Sequence, residues 1–198
     1  MSHIDKSNVR SSLRQWRREL PVSVQQDHAL RAAQALAASL FFRKAKRIAC
    51  YLSVAGELDC LPLIQLCQQL GKEIYLPALH LHSNRLSFRR YNLGDPLQRS
   101  RFGMLQPRLR LSCPPWALDL VLMPLVAFDG QMNRIGMGGG YYDRTFASKL
   151  ASGFGPRLFG WAHSGQQLRE DIQNQPWDVP MAGVITEKGV ICRGRTIL

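Results

Sequence analysis

The stretch from Asp119 to Arg144, DLVLMPLVAFDGQMNRIGMGGGYYDR, gathers the groups of this chain best suited to handling an anion. A short apolar run leads to Met123-Pro124. After a turn come Arg134 and Ile135, then Gly136, Met137, Gly138, Gly139 and Gly140, then Tyr141-Tyr142-Asp143-Arg144. Glycines let backbone N–H groups approach an anion closely and permit backbone angles closed to other residues. A helix starting at Tyr141 adds unpaired N–H donors and the favourable end of its dipole. Arg134 and Arg144 bracket the loop with guanidinium forks that suit phosphate oxygens. The order strand, loop, helix also puts the loop at the carboxyl end of a strand, where α/β sheets bind ligands. The common nucleotide fingerprints do not fit. A G-x-G-x-x-G starting at Gly136 would need glycine where Tyr141 stands, and there is no G-x-x-x-x-G-K-[ST]. With two arginines and an aspartate attached, the loop reads as an anion site rather than a plain connection.

Other candidates carry less on their own residues. Lys6 and Arg10 lie four apart and share one face of a helix, which alone reads as a solvated basic face. Arg14, Arg17 and Arg18 read as surface charge. Glu57 reads as a loop carboxylate, Asp178 as a turn residue before Pro180, and His163 as a satisfied or exposed histidine after a strand. Asp143 alone reads as a helix-start carboxylate paired with an arginine. Cys50, Cys60, Cys67, Cys113 and Cys192 are odd in number, scattered, and form no C-x-x-C pair. That argues against a disulfide framework and against a cysteine zinc site.

Lys and Arg outnumber Asp and Glu by 26 to 14, a net charge of +12, so the protein attracts anions over a distance. Nucleic acid, nucleotides and polycarboxylates all satisfy that condition, and charge cannot choose among them. At 198 residues the chain fits one domain with its own core, and its 45% hydrophobic fraction is that of a globular protein. No apolar stretch is long enough for a membrane span, and no apolar signal segment follows Met-Ser-His-Ile-Asp-Lys. A cytoplasmic protein with no membrane partner is expected.

The elements that must position these residues follow from periodicity. Lys6 to Leu20 is predicted as a basic helix with Val9, Leu13, Trp16 and Leu20 on one face. Pro21 ends it. Ser23 and Gln26 resemble a capping box for a second helix through Leu40, with Ala29, Leu30, Ala33, Leu36, Ala37 and Leu40 as its apolar face. Strands are predicted at Arg47 to Ser53, Glu73 to Pro77, Leu86 to Tyr91, Asp119 to Met123, Arg157 to Ala162 and Ala182 to Thr186. Helices are predicted at Leu61 to Leu70, stopped by Gly71, and at Tyr141 to Leu150; Asn92 to Pro115 is expected to be irregular. Strands alternating with helices imply an α/β domain with a largely parallel sheet covered on both faces.

The run from Met123-Pro124 through Phe128-Asp129, Arg134 and Gly136 to Arg144 closely resembles the 5-formyltetrahydrofolate cyclo-ligase family, also called methenyltetrahydrofolate synthetase. Lys6-Ser-Asn-Val-Arg10 is similar to that family's N-terminal Lys-x-x-x-Arg. Ser53 through Gly56-Glu57-Leu58-Asp59 is similar to its folate-side segment, and Trp177-Asp178 to its C-terminal aspartate motif. These features occur in family order across nearly the whole chain, residues 1–198. The resemblance implies a three-layer α/β/α, Rossmann-like fold whose N-terminal helix contributes to the ATP site. It also implies ATP- and Mg2+-dependent cyclisation of 5-formyltetrahydrofolate to 5,10-methenyltetrahydrofolate, with release of ADP and phosphate. In the mechanism generally proposed for the family, the formyl oxygen attacks the γ-phosphate. N10 then closes the ring as phosphate departs.

Residue by residue, the resemblance implies Lys6, Arg10, Arg134, Ile135, Gly136, Met137, Gly138, Gly139, Gly140, Tyr141 and Tyr142 at ATP. It implies Leu52, Glu57 and Tyr141 at the folate, Asp143 and Asp178 at Mg2+, and Arg134, Tyr142 and Arg144 at the reacting groups. The positive charge adds the expectation of attraction to a polyglutamylated folate tail. The chain departs from the pattern at Gln106-Pro107, where many members have Glu-Pro, and at Asp171 to Pro176, which has no counterpart of the usual Leu-Pro. It also lacks the basic residue that some members carry at Met137 or Gly139. Two other readings compete. A nucleic-acid-binding domain built on Arg85 to Arg110 lacks any zinc-finger, KH or RRM signature, and the charge is spread along the chain. A different ATP-dependent ligase or kinase would show itself by turning over another acceptor.

Overall fold

A computed structural model of the chain describes residues 4–79, 83–100, 103–192 and 195–197. Residues 1–3, where the leader reading began, and residues 101–102 of the arginine-rich stretch lie outside the described set. Helix α1 (Lys6–Glu19) opens on Asp5, whose carboxylate accepts from the Ser7 backbone at 2.9 Å. Helix α2 (Val22–Ala38) starts one residue ahead of the predicted capping box. Pro21 holds the cap position with φ −54° and no side chain caps the turn. The locked proline sets the geometry that Ser23 was expected to set. The helix also stops early. Ser39 turns extended, and its hydroxyl accepts from Phe42 N at 3.2 Å to open α3 (Leu40–Lys44). Leu40 thus lies outside α2 and is exposed; within the helix Leu30 is also exposed, while Ala32 joins Ala29, Ala33 and Leu36 inside.

Next in order are β1 (Arg47–Ala49), α4 (Leu61–Gln69), β2 (Glu73–Leu79) and β3 (Leu86–Arg90). Gly71, at φ 66°, allows the turn out of α4 as expected. The strand predicted to Ser53 leaves the ladder after Ala49, with Cys50 N still reaching Tyr75 O at 3.1 Å. The segment expected to be irregular holds three short strands, β4 (Leu97–Arg99), β5 (Leu105–Pro107) and β6 (Ser112–Cys113). Then follow β7 (Leu120–Pro124), the ribbon β8 (Ala127–Phe128) and β9 (Arg134–Ile135), α5 (Tyr141–Ser152), β10 (Arg157–Trp161), β11 (Gly183–Thr186), β12 (Gly189–Cys192) and β13 (Arg195–Ile197).

Among the described residues the main sheet has the order β13-β12-β11-β10-β7-β1-β2-β3-β6. The five central strands are parallel, and both edges are antiparallel extensions. The central strands read as continuous apolar runs because both their faces are covered. Along β7, Leu120 and Leu122 face one core cluster while Val121 and Met123 face another. The first cluster packs under α2 and α4 through Leu36, Leu63 and Ile64; the second contains Phe146 of α5. This is the expected α/β/α sandwich. A third, smaller cluster of Ala127, Ile135 and Ile172 receives Val9 and Leu13, so α1 lies on the β8–β9 ribbon rather than on the sheet. No helix among the described residues is long and apolar enough to cross a membrane.

The connection from β1 through α4 to β2 steps one way along the sheet, and that from β7 through α5 to β10 steps the other way. Neighbours β1 and β7 thus flank the point where the winding reverses, and their carboxyl ends are where α/β sheets of this kind bind ligands. Gly183, in β11, shows how tightly the layers are set. A Cβ there would lie 2.5 Å from the Ile191 carbonyl oxygen and 2.9 Å from the Phe159 ring. Gly183→Ala should lower stability by roughly 1–3 kcal/mol, read as a lower urea midpoint at unchanged m-value. An unchanged midpoint would show that the β11–β12 pair can spread.

Candidate active site

The segment leaving β7 is braced before it reaches any ligand-facing residue. Asp129 is fully buried, and its Oδ1 accepts from Gln131 N at 2.9 Å and Asn133 N at 2.8 Å. Its Oδ2 accepts from Asn133 Nδ2 at 2.8 Å and Ile172 N at 2.7 Å. Four donors satisfy this carboxylate, so Phe128-Asp129 holds the turn and carries the 170s segment against it. From that turn Arg134 projects. Its Nη1 donates to Val179 O at 2.5 Å, and its Nη2 pairs with Asp143 Oδ1, which also accepts from Val179 N at 3.1 Å. The same knot brings Asp178 close: Arg134, Asp178, Asn133 and Asn174 line one small cavity. Asp178 Oδ2 accepts from Gln175 N at 2.9 Å. The two aspartates, far apart in sequence, thus sit on adjoining segments, and Asp143 is paired with an arginine as its own sequence reading allowed.

The glycine loop follows. Gly138 and Gly140 take φ values of 97° and 60°, and Gly140 caps α5 with no side-chain hydrogen bond. The first N–H groups of α5 therefore keep their capacity for an anion. Arg144 folds back over the loop, donating from Nη2 to Gly139 O and from Nε to Asn84 O at 3.1 Å, with its guanidinium 5.5 Å from the Tyr141 ring centroid. A Cβ at Gly140 would meet Arg144 Nη1 at 2.9 Å. Helix α1 crosses from the other side: Arg10 Nε donates to Gly136 O at 2.8 Å, and Lys6 Nζ to Gln173 O at 2.9 Å. Arg10 and Arg144 thus meet the glycine loop, while Lys6, Arg134, Asp143 and Asp178 have their contacts on the 170s segment beside it. Ile135 is buried beneath the loop, while Met137 and Gly139 are exposed.

On the β1 side of the reversal lies the loop that leaves that strand. Glu57 is buried, not exposed; its Oε2 accepts from Val54 N at 3.2 Å and its Oε1 lies 3.8 Å from Arg17 Nη2. Arg17 corrects the reading of α1: it is 1% exposed and its Nη1 donates to Leu125 O at 3.3 Å. The signal was its spacing, since Arg10, Arg14 and Arg17 fall on the same helical face beside Val9 and Leu13. Gly56 makes this contact possible: a Cβ there would stand 2.4 Å from Arg17 O. Burial pushes the Glu57 carboxyl above its ordinary range, partly offset by Arg17 and the Val54 N–H. Burial also lowers the Arg17 guanidinium, with Glu57 opposing.

Tyr142 stands in the first turn of α5, directly after the glycine loop. Burial raises its phenol far above the usual range; Cys60, Cys50 and Glu57 add to the shift and Arg134 opposes it. The phenol is thus within electrostatic reach of both Glu57 and Arg134, and at neutral pH it stays a donor. Tyr51, which sequence reasoning passed over, is buried here too and raised for the same reason. Leu52 is half-buried against the first core cluster. His163 is fully buried; burial lowers it to about 4, opposed by its bond to Gly56 O. Gln106 is buried and accepts from Leu79 N at 3.1 Å, holding the β4–β5 hairpin against β2. In the arginine-rich stretch, Arg89 donates to Pro107 O at 2.9 Å and Arg90 pairs with Glu73 at 3.6 Å, so both have internal partners.

The 5-formyltetrahydrofolate cyclo-ligase family model matches residues 2–187. The protein from Haemophilus influenzae named 5-formyltetrahydrofolate cyclo-ligase is 36% identical over 184 residues, 91% of this chain and 96% of that one. The protein of the same name from Escherichia coli K12 is 37% identical over 181 residues, 90% of this chain and 98% of the relative. The solved Aquifex aeolicus 5,10-methenyltetrahydrofolate synthetase superposes with a TM-score of 0.80 at 28% identity, covering 98% of this chain and 97% of the other.

The buried ion pair yields a stability test. Arg17→Ala leaves the buried Glu57 carboxylate with Arg14 as its remaining positive neighbour and should cost about 3–5 kcal/mol. The double variant with Glu57→Ala should recover part of that loss. Strictly additive losses in chemical denaturation would show that the pair is not coupled.

Proposed function

The chain belongs to the 5-formyltetrahydrofolate cyclo-ligase family, and from that we propose that it closes 5-formyltetrahydrofolate to 5,10-methenyltetrahydrofolate, using ATP and Mg2+ and releasing ADP and phosphate. The observation that carries the reading is that α1 joins two sites, with Arg10 Nε donating to Gly136 O in the glycine loop at 2.8 Å and Arg17 Nη2 lying 3.8 Å from the buried Glu57 carboxylate. One site suits a polar heterocycle and the other a polyphosphate, so a reaction joining the two substrates belongs between them.

In this reading Lys6, Arg10 and the loop Arg134 to Tyr142 take ATP. Arg134, at its base, neutralises charge on the transferring phosphoryl group, and Arg144 buttresses the loop from behind. The folate enters against Leu52, Tyr141 and Glu57. The Glu57 carboxylate has one backbone donor and an arginine at 3.8 Å, so it keeps acceptor capacity for the amino and ring N–H groups of a pterin. Tyr142, a donor at neutral pH, faces the junction. The formyl oxygen attacks the γ-phosphorus and the bond to the β-γ bridging oxygen breaks, releasing ADP. N10 then bonds to the formyl carbon, the carbon–oxygen bond breaks with phosphate as leaving group, and the N10 proton is lost. The protein's share is alignment and charge neutralisation.

Two carboxylates on adjoining segments fit the sparse protein ligation of Mg2+, whose remaining positions are filled by phosphate oxygens and water. Asp143 and Asp178 would hold it; the backbone and arginine contacts of Asp143 both fall on Oδ1, so Oδ2 has capacity for a cation. When bound, the ion supplies charge neutralisation at the phosphates. We read the chain as one domain with α1 as part of the ATP site, and the expected polyglutamate preference as a matter of its positive surface.

The test is the absorbance of methenyltetrahydrofolate after mixing protein, ATP, Mg2+ and 5-formyltetrahydrofolate. A rise that needs all three additions is expected. Arg134→Ala should cut kcat by roughly 10²–10³-fold. Asp143→Asn should raise the Mg2+ concentration needed for half-maximal rate while circular dichroism stays unchanged. Turnover without ATP, or full activity in both variants, would overturn the assignment.

A further inference from the structure

Helix α2, the segment after β10 and the β11–β12 turn bring together three side chains with no part in the chemistry above. His28 Nδ1 lies 2.9 Å from His163 Nδ1 and 3.8 Å from Glu187 Oε2, and the three ligand atoms all fall within 4.8 Å of one another. We propose that His28, His163 and Glu187 form a binding site for a transition-metal dication, with Zn2+ as the best-fitting occupant. The inference is independent of the proposed reaction.

Ligand spacing supports it first. Zinc bound tetrahedrally at about 2.0–2.1 Å holds its ligand atoms roughly 3.3 Å apart, and small side-chain rotations bring these three atoms to that spacing. The outer groups support it further. His163 Nε2 faces Gly56 O at 3.2 Å, a contact that needs the proton on Nε2 and so turns the Nδ1 lone pair toward His28. Glu187 is aimed by Ser164, whose backbone N donates to Oε2 at 2.9 Å and whose hydroxyl donates to Oε1. A carbonyl orienting an imidazole and donors orienting a carboxylate are what metal centres place around their ligands. Two neutral imidazoles alone could share one N–H···N bond; a carboxylate converging on the same nitrogens is more than that bond requires.

Burial sets the access. His163 and Glu187 are buried, whereas the His28 side chain is 20% exposed and offers a way in. The Trp16 ring meets His163 edge-on at 6.1 Å and walls the opposite side. Two imidazole nitrogens and one oxygen favour zinc over magnesium, which demands oxygen ligands. A fourth position stays open for water. A bound ion would tie α2 to the carboxyl end of β10 and hold His163 against Gly56, next to Glu57.

The test uses the whole protein, stripped of metal and kept in millimolar Mg2+, titrated with Zn2+ by calorimetry. One Zn2+ per chain is expected, with binding weakened at least about 10-fold in His28→Ala and in Glu187→Gln and unchanged in Asp143→Asn. His28 is partly exposed on a helix, so alanine there should fold; circular dichroism checks both variants. In the unaltered protein, Co2+ should give the visible bands of a four-coordinate nitrogen–oxygen site, a reading that depends on no variant. Absence of Zn2+ binding, equal affinity in the folded variants, or a thiolate-to-Co2+ band from one of the free cysteines would overturn the proposal.

Discussion

Arg17 lies between the Leu125 carbonyl and the Glu57 carboxylate, and this buried guanidinium joins three segments that the sheet leaves independent. Leu125 follows β7, Glu57 lies on the loop from β1, and Arg17 belongs to a helix that touches neither face of the sheet. Burial works against both partners, lowering Arg17 and raising Glu57, so neither fully compensates the other. A pair of this kind is weak evidence for net stability, since desolvation can exceed the attraction. What it supplies is registration: with Gly56 packed on the Arg17 backbone, the far end of α1 has one seat. That seat aims the near end, where Arg10 meets Gly136 O and Lys6 meets Gln173 O.

A second consequence is that one helix ties together two loops. Its first turns reach the glycine loop and its last turns reach the Glu57 loop, so movement of either is felt by the other. The glycine loop adds its own limits. Gly140 must be left-handed to start α5, and Arg144 then occupies the space a side chain would need. The loop's positive character comes from Arg10, Arg134 and Arg144 on flanking elements. A chain without a basic residue at Met137 or Gly139 can still surround a phosphate with charge.

The sequence made the parallel core legible because strands buried on both faces must be continuously apolar, as Leu120 to Met123 and Leu158 to Trp161 are. The loop before Tyr141 was legible for a related reason, since only glycine tolerates such a turn into a helix. The antiparallel edges were harder to see. Strands as short as Ser112–Cys113 have no readable period, and β12 follows β11 through a two-residue turn with no contrast in composition. Arg17 was misread because its place beside the apolar face of a basic helix suggests burial without naming a buried partner. Its partner Glu57 is remote in sequence, and only the seating of α1 decides the matter. Spacing alone set Arg134 at an anion-suited loop but left Lys6 and Arg10 a solvated basic face, Asp143 a helix-start carboxylate and Asp178 a turn residue; bringing them to one site was carried by family resemblance.

Three buried carboxylates show how the fold separates braces from poised groups. Asp129 accepts four donors and is complete within the protein. Burial alone would raise Glu187, but the Ser164 hydroxyl and backbone, aided by His28, outweigh it and hold the carboxyl below its usual range. Glu57 has one backbone donor and a distant arginine, so burial prevails and the carboxyl is raised. Its ionised form lacks donors that a ligand could bring, while Arg14 Nε and Arg17 Nε and Nη2 are buried without a hydrogen-bond partner among the described residues. Polar capacity left unmet on both sides of one loop is costly in a folded protein. Unmet capacity of this kind suits a polar ligand, which supports the proposed site on physical grounds separate from family likeness.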